Sequence, residues 1–185
     1  MITTVVNQSA MPAIVQKLAG GDRRSIGKSN EVVAEVLANL KLFDAVFSGL
    51  QSDNQVLRAR VADAIEKITR RRPELLLPYR TKLLGPLARL DQMEVRWHVA
   101  QLLPRVRWNK SERQRVLRIL MDYLNDPSRI VKTFAMQALA DLARQAPDLR
   151  PRVLVHLRKL TRTGTPAMKA RGRRLLEELD GPKNK

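Results

Sequence analysis

Apolar residues Leu57, Val61, Ile65 and Ile68 recur at the three- and four-residue spacing of a helix that buries one stripe. The pattern is not confined to one segment. The stretch 126–142, DPSRIVKTFAMQALADL, has three echoes in which its key columns persist. Lys132 aligns with Arg58, Arg96 and Lys169, and Leu142 aligns with Ile68, Val106 and Leu179. Copies start 38, 36 and 37 residues apart, a period that belongs to stacked helical hairpins and not to a single compact core.

Taken in order, 11–18 is a short apolar-periodic segment, and GGDRRSIGKS then reads as a loop on its glycines and serines. Gly27, Lys28 and Ser29 form the tail of a phosphate-binding P-loop. The motif fails, however, because Asp22 stands where its leading glycine belongs and the preceding pattern is helical, not a strand. Ser29 instead reads as the N-cap of a helix over 29–40, with Arg23, Arg24 and Lys28 near that terminus able to hold a phosphate weakly. Four hairpins follow. The first pairs 41–50 with 54–70, capped by Asp53; the second pairs 75–90 with 92–106, with Asp91 and Glu94 at capping-box spacing. Pro86 and Pro104 lie inside the helices of that second hairpin and predict kinks. The third pairs 111–124, opened by a Ser111–Gln114 box, with 127–144, capped by Asp126 with Pro127 first in the helix. The fourth pairs 149–162 with 166–179, Thr165 and Pro166 repeating the cap-then-proline device. Residues 180–185 read as a disordered tail.

A helix ending in Leu, an Asp in the turn, then an apolar-basic pair leading an Ala-rich helix recurs in LNDPSRIVKTFAMQALADL and RLDQMEVRWHVAQLL. In this the chain resembles the HEAT-repeat family across 41–179, with 1–40 as a helical cap or degenerate first repeat. The resemblance implies an all-α, right-handed α–α superhelix, a solenoid of about four hairpins. It also implies that turn Asp and following basic residue form a structural ladder between neighbours: Asp53 with Arg58, Asp91 with Arg96, Asp126 with Lys132. The fourth repeat has Thr163 and Gly164 where that Asp belongs, so it reads as an atypical cap. HEAT solenoids serve as scaffolds, transport factors and nucleic-acid binders, so the resemblance constrains fold more than function.

Composition narrows the chemistry. With 44% hydrophobic residues in 185, the chain can bury a continuous core, and the absence of cysteine removes thiolate zinc sites and cysteine nucleophiles. The N-terminal MITTVVNQSAMP has no basic start leading into a long apolar run, which makes a cytoplasmic location the expectation. His98 and His156 come from different repeats and different helix types, which argues against a shared metal; Glu177 and Glu178 are adjacent and face different directions. HEAT-like folds also include DNA glycosylases with an aromatic cleft and an Asp. Trp97 and Trp108 are similar in kind to those aromatics, without a matching acidic motif. No catalytic residue and no cofactor is expected.

The formal charge of +17 is a statement about partners. Loops between repeats are strongly basic, whereas turns within repeats are led by Asp53, Asp91, Glu94, Asp122 and Asp126. Cations at a helix C-terminus complement its dipole, which explains Arg70, Arg71, Arg72 and Arg144. Arg113, Arg115, Arg150 and Arg152 fall instead in predicted first turns, where the dipole disfavours them, and so point to an anionic partner along that edge. A second candidate surface follows from the resemblance, since second helices of HEAT hairpins line the concave side. One exposed column there holds Ala59, Trp97, Thr133 and Ala170, the next Arg60, His98, Phe134 and Arg171, and a third ends in Arg174. Trp97 and Phe134 either stack on a ligand, with Arg60, His98, Arg171 and Arg174 beside them, or tuck between helices as packing. Trp108 reads as a plug on the core. The expectation is a non-enzymatic binding module for an anionic partner: an acidic protein on the concave face, or nucleic-acid phosphates along the arginine edge.

Overall fold

The structure is a computed structural model describing residues 11–20 and 25–180; Arg23, Arg24 and residues 181–185 lie outside the described residues. Every regular element among the described residues is helical. No helix among them is long and apolar enough to cross a membrane. The chain divides into two compact units, Met1–Arg72 and Pro73–Lys185.

In the first unit, α1 (Ala13–Gln16), α2 (Ser29–Ala38), α3 (Phe43–Ser48) and α4 (Gln55–Arg71) close around one apolar core. The stripe Leu57, Val61, Ile65 and Ile68 of α4 is buried, meeting Val32 and Val36 of α2 and the ring pair Phe43–Phe47. A 3₁₀ turn at Gly49–Gln51 lies so close to α4 that a Cβ on Gly49 would stand 2.8 Å from Val61. Two caps differ from expectation. Asn54, not Asp53, caps α4, its side chain accepting from Val56 N and Leu57 N at 2.9 and 3.1 Å. Ser29 is the first residue of α2 and does not cap it, because its buried hydroxyl donates to Asp63 on α4 at 2.5 Å.

In the second unit, α5 (Arg80–Leu84) and α6 (Pro86–Arg89) precede α7 (Met93–Leu102), followed by α8 (Lys110–Tyr123), α9 (Arg129–Gln145), α10 (Arg150–Thr163) and α11 (Pro166–Asp180). Prolines act here as breaks and not as kinks. Gly85 at φ −122°, ψ −107° ends α5, Pro86 opens α6, and Pro104 sits in a 3₁₀ turn after α7. Helix α9 packs against α7 on one side and α11 on the other, so these three form a layer, while α8 and α10 lie against it. Buried Ala135, Ala138, Ala140 and Ala143 suit α9 to that central place because small side chains let neighbours approach. Gly172 does the same for α11, since a Cβ there would collide with the Thr161 side chain of α10.

Turns in this unit were also shifted relative to the sequence reading. The capping box at α8 is Asn109 with Glu112, not Ser111 with Gln114: Asn109 Oδ1 accepts from Glu112 N at 2.9 Å, and Glu112 accepts from Asn109 N at 3.1 Å. At α7 the Asp91–Glu94 box does not form, and Gln92 holds the cap position without a side-chain cap bond. Helix α9 starts at Arg129 under Ser128, not at Pro127 under Asp126. Thr165 and Pro166 do open α11, with Thr165 Oγ1 accepting from Met168 N at 3.4 Å. Asp180, read as the start of the tail, is the last residue of α11 and pairs with Arg158 at 3.4 Å.

Asp126 serves as a rung between hairpins. Arg96 Nη1 donates to Asp126 Oδ2 at 2.6 Å and its Nε to Leu90 O at 2.9 Å, while Asp91 lies 3.7 Å away. The rung therefore joins one turn to the preceding basic residue, where the ladder pairing had set Asp126 with Lys132. Burial works most strongly against the Arg96 charge, but the Asp126 hydrogen bond together with the charges of Tyr123, Asp126 and Asp91 outweighs it and raises the guanidinium pKa. Beneath the rung Tyr123 is fully buried, its hydroxyl donating to Ala88 O at 2.9 Å, and burial pushes its phenol well above the ordinary range.

Candidate partner-binding face

The column predicted to be exposed splits in two. Arg60 is 4% exposed, a correction to its place among surface residues. Its guanidinium donates to Leu18 O and Ser25 O, each at 3.0 Å, and to Gly20 O. Gly27, at φ +55°, lies against that guanidinium; a Cβ there would stand 3.0–3.2 Å from its atoms. The loop that ends in Gly27, Lys28 and Ser29 thus aims carbonyl oxygens at a cation. A phosphate cradle requires N–H groups aimed at an anion, so the P-loop reading has no support here.

The rest of the column lies in the second unit. Trp97 and His98 on α7 are half-buried with ring centroids 5.5 Å apart. Phe134 on α9 is also half-buried, and the Arg171 guanidinium of α11 stands 5.8 Å from the Phe134 ring centroid. Within the layer α7–α9–α11, Phe134 and Arg171 meet across adjacent helices, and Trp97 and His98 pair with each other on α7.

On α9 Gln137, one turn beyond Phe134, organises the cations. Its Oε1 accepts from Arg171 Nη1 at 3.2 Å and from Arg174 Nη2 at 3.1 Å, and its Nε2 donates to Asp141 Oδ1 at 3.0 Å. Arg174 also lies 3.4 Å from Glu178, and Arg144 donates to Glu178 at 2.5 Å and to Asp141. Burial disfavours the Arg144 charge, yet Glu178 and Asp141 more than offset this and hold its pKa above the usual value. Arg174 and Arg144 are therefore neutralised locally. Arg171 is not: among the described residues its partners are the Gln137 amide and the Phe134 ring, both uncharged.

Two cavities meet at Phe134. Toward the C-terminal end of α9 a groove of about 450 Å³ and mixed polarity is lined by Gln101, Phe134, Gln137, Asp141, Arg144 and Arg171, among others. Toward its N-terminal end a more apolar notch of about 500 Å³ is lined by Arg129, Ile130, Thr133, Phe134, Pro166 and Ala167, with Thr165. Gln101, Gln137, Asp141 and the notch are not among the residues that the sequence alone singles out. Continuing the repeat columns one turn would have found the first two, since Gln101, Gln137 and Arg174 share a column.

The four edge arginines are not equivalent. Helix α8 starts at Lys110, so Arg113 closes its first turn, while Arg115 lies beyond it and reaches Leu84 O at the end of α5, 3.5 Å away. Glu112 sits in the same first turn; the Asn109 N–H bonded to it, against the opposing effect of burial, and Arg80 beside it hold its carboxyl below the ordinary range. Helix α10 has no such compensation. Arg150 and Arg152 are exposed in its first turn, with no acidic residue there and no side-chain cap. Trp108 is 7% exposed, its Nε1 donating to Leu103 O at 2.7 Å beneath the Arg80 guanidinium, so it plugs the core and lines no cleft. Among the described residues no group of three or more His, Asp or Glu could hold a metal ion.

No family model and no curated protein matches the sequence. Among solved structures, an engineered protein determined by the Northeast Structural Genomics Consortium is similar in fold, with a TM-score of 0.63 at 16% identity. The match covers 90% of this chain and 78% of that one. At such identity the likeness concerns the fold alone.

Proposed function

We propose that the chain is a non-enzymatic binding module, a short right-handed superhelix of HEAT-like hairpins whose α7–α9–α11 face receives an acidic segment of a partner protein. One observation carries this reading. Arg171 lines the groove, held by a neutral amide and by the face of Phe134, which walls both cavities, with its charge unmatched by any carboxylate among the described residues. A carboxylate placed there gains a charge-assisted hydrogen bond of about 1.5–3 kcal/mol, and the excess of basic residues steers an acidic partner toward it. The test is the affinity of a glutamate-rich peptide for the wild type and for Arg171→Glu. A loss of at least about tenfold with unchanged circular dichroism is expected; equal affinities would sink the reading.

A second reading, binding of a nucleic-acid backbone, is favoured by α10. Arg150, Arg152, Lys159 and Arg162 are exposed along it and have no carboxylate partner among the described residues. Changing Arg113, Arg115, Arg150 and Arg152 to Glu should abolish oligonucleotide binding. In the wild type, log affinity should fall with log salt by about 0.9 per neutralised phosphate on duplex DNA. A flat salt dependence argues against it.

A further inference from the structure

Helix α10 carries Arg150, Arg152, Arg158, Lys159 and Arg162, and the stretch 150–163, RPRVLVHLRKLTRT, contains no Asp, Glu, Phe, Tyr or Trp. All five cations are exposed. Arg158 lies 3.4 Å from Asp180 of α11, whereas the other four have no carboxylate partner among the described residues. The nearest acid in sequence, Asp148, stands ahead of the helix in the turn Pro147–Leu149. Helical geometry sorts the unpartnered four. Arg152, Val155, Lys159 and Arg162 fall within about 80° of one another around the axis and span about 15 Å along it, while Arg150 leaves about 160° from Arg152. Val155, 64% exposed, stands inside this row, so the row is open to solvent at its middle.

The row weakens its own helix. Arg152 sits in the first turn, where the dipole disfavours a cation, and Lys159 and Arg162 stand one turn apart as like charges. A line of anions laid along the row relieves both penalties. What carries those anions follows from what α10 lacks. A protein interface is centred on an apolar anchor or a pocket, but α10 lines neither cavity described above, and Val155 is the one large aliphatic side chain it exposes. Holding a single strand by its bases needs aromatic side chains for stacking, and 150–163 has none. A duplex keeps its bases inside and presents one phosphate charge per about 1.7 Å of axis, so it needs only cations. We infer that Arg152, Lys159 and Arg162 of α10 bind the phosphates of a nucleic-acid duplex without reading its sequence. The inference rests on the nucleic-acid reading and narrows it to double strands and to three cations of one helix. Arg158 is not among them because Asp180 already neutralises it, and Arg150 is not because it leaves the helix on another side.

Two triple variants that remove the same charge separate the row from net charge. A fluorescently labelled DNA duplex of mixed sequence is titrated with the full chain by anisotropy across a salt series. Three neutralised phosphates predict roughly 40-fold weaker binding at about 200 mM salt than at about 50 mM. Arg152→Gln, Lys159→Gln and Arg162→Gln together should remove most of the affinity and of that salt dependence. Arg129→Gln, Arg150→Gln and Arg158→Gln together should keep the slope and leave affinity within about threefold, since charges away from the contact are screened. Val155→Glu, which sets a carboxylate inside the row, should weaken binding more than Arg150→Gln does. All these positions are exposed, so circular dichroism should be unchanged in each variant. A duplex RNA of equal length, run alongside, tells which backbone the row takes. Equal losses in the two triple variants would overturn the row and keep the nucleic-acid reading. Absence of duplex binding even at low salt would overturn both. A single strand of the same length bound more tightly than the duplex would overturn the double-stranded ligand, as would polyglutamate that displaces the duplex as well as unlabelled duplex does.

Discussion

Arg60 and Arg171 occupy the same column of the repeat and lead opposite lives. Arg60 is buried in the first unit, its guanidinium spent on three backbone carbonyls of the segment 18–25. Arg171 is half-buried in the second, resting on Phe134 and Gln137 with its charge unmatched by a carboxylate among the described residues. A repeat position dictates where a side chain leaves its helix, but what lies over it decides whether the cation braces the fold or waits for a ligand. In the first unit the carbonyls of Leu18, Gly20 and Ser25 cover it, and Gly27 at positive φ lets its backbone descend onto the guanidinium.

The sharpest way to break this contrast is Arg60→Met. It leaves carbonyls of Leu18, Gly20 and Ser25 without their donor, at about 1–3 kcal/mol per group, so a loss of at least about 3 kcal/mol is expected. Amide exchange across α2 and α4 should accelerate accordingly; unchanged protection would mean the buried arginine is dispensable. Asp126→Ala comes next. It removes the close ion pair of Arg96, whose side chain is 17% exposed, and the remaining Leu90 carbonyl, Asp91 and solvent limit the loss to about 2 kcal/mol, seen as an earlier denaturant midpoint of the second unit. Arg171→Gln should change stability by no more than about 0.5 kcal/mol while acidic-peptide affinity falls. A comparable loss of stability would make Arg171 a second Arg60.

The smallest effect concerns pH. Because the Glu112 carboxyl is held below its ordinary value, its contribution is complete above the unfolded pKa, about 4.3, and is lost as pH falls through the lower folded value. Between pH 5 and about 3 the thermal midpoint of the wild type should therefore fall somewhat more than that of Glu112→Gln. Parallel curves would show that the capping box survives protonation.

Much of this was legible in the residues. Helical stripes such as Leu57, Val61, Ile65 and Ile68 are buried as their spacing requires, because burial of an apolar face is set by periodicity alone. Trp108 was readable as a plug. Helix starts were read one or two residues away because each turn offers several capping side chains, as with Asp53 and Asn54, and Asp126 and Ser128. Competition for Asp126 by Arg96, from the preceding hairpin, is invisible locally. The site was harder. Repeat columns brought Trp97, His98, Phe134 and Arg171 to the proper layer, yet nothing local distinguishes Arg171 from Arg60. Nor does an uncharged Gln137 announce that it holds two arginines while leaving one of them unmatched by a carboxylate.

Both tryptophans of the chain, Trp97 and Trp108, belong to Pro73–Lys185, one half-buried on a helix face and the other sealed beneath Arg80. Intrinsic fluorescence is consequently a one-sided witness. An emission-based melt will follow one unit and remain silent on the other, so a single smooth transition in that signal carries no information about whether the chain unfolds as one cooperative body. A tryptophan introduced at the Phe47 position would give the silent half a voice.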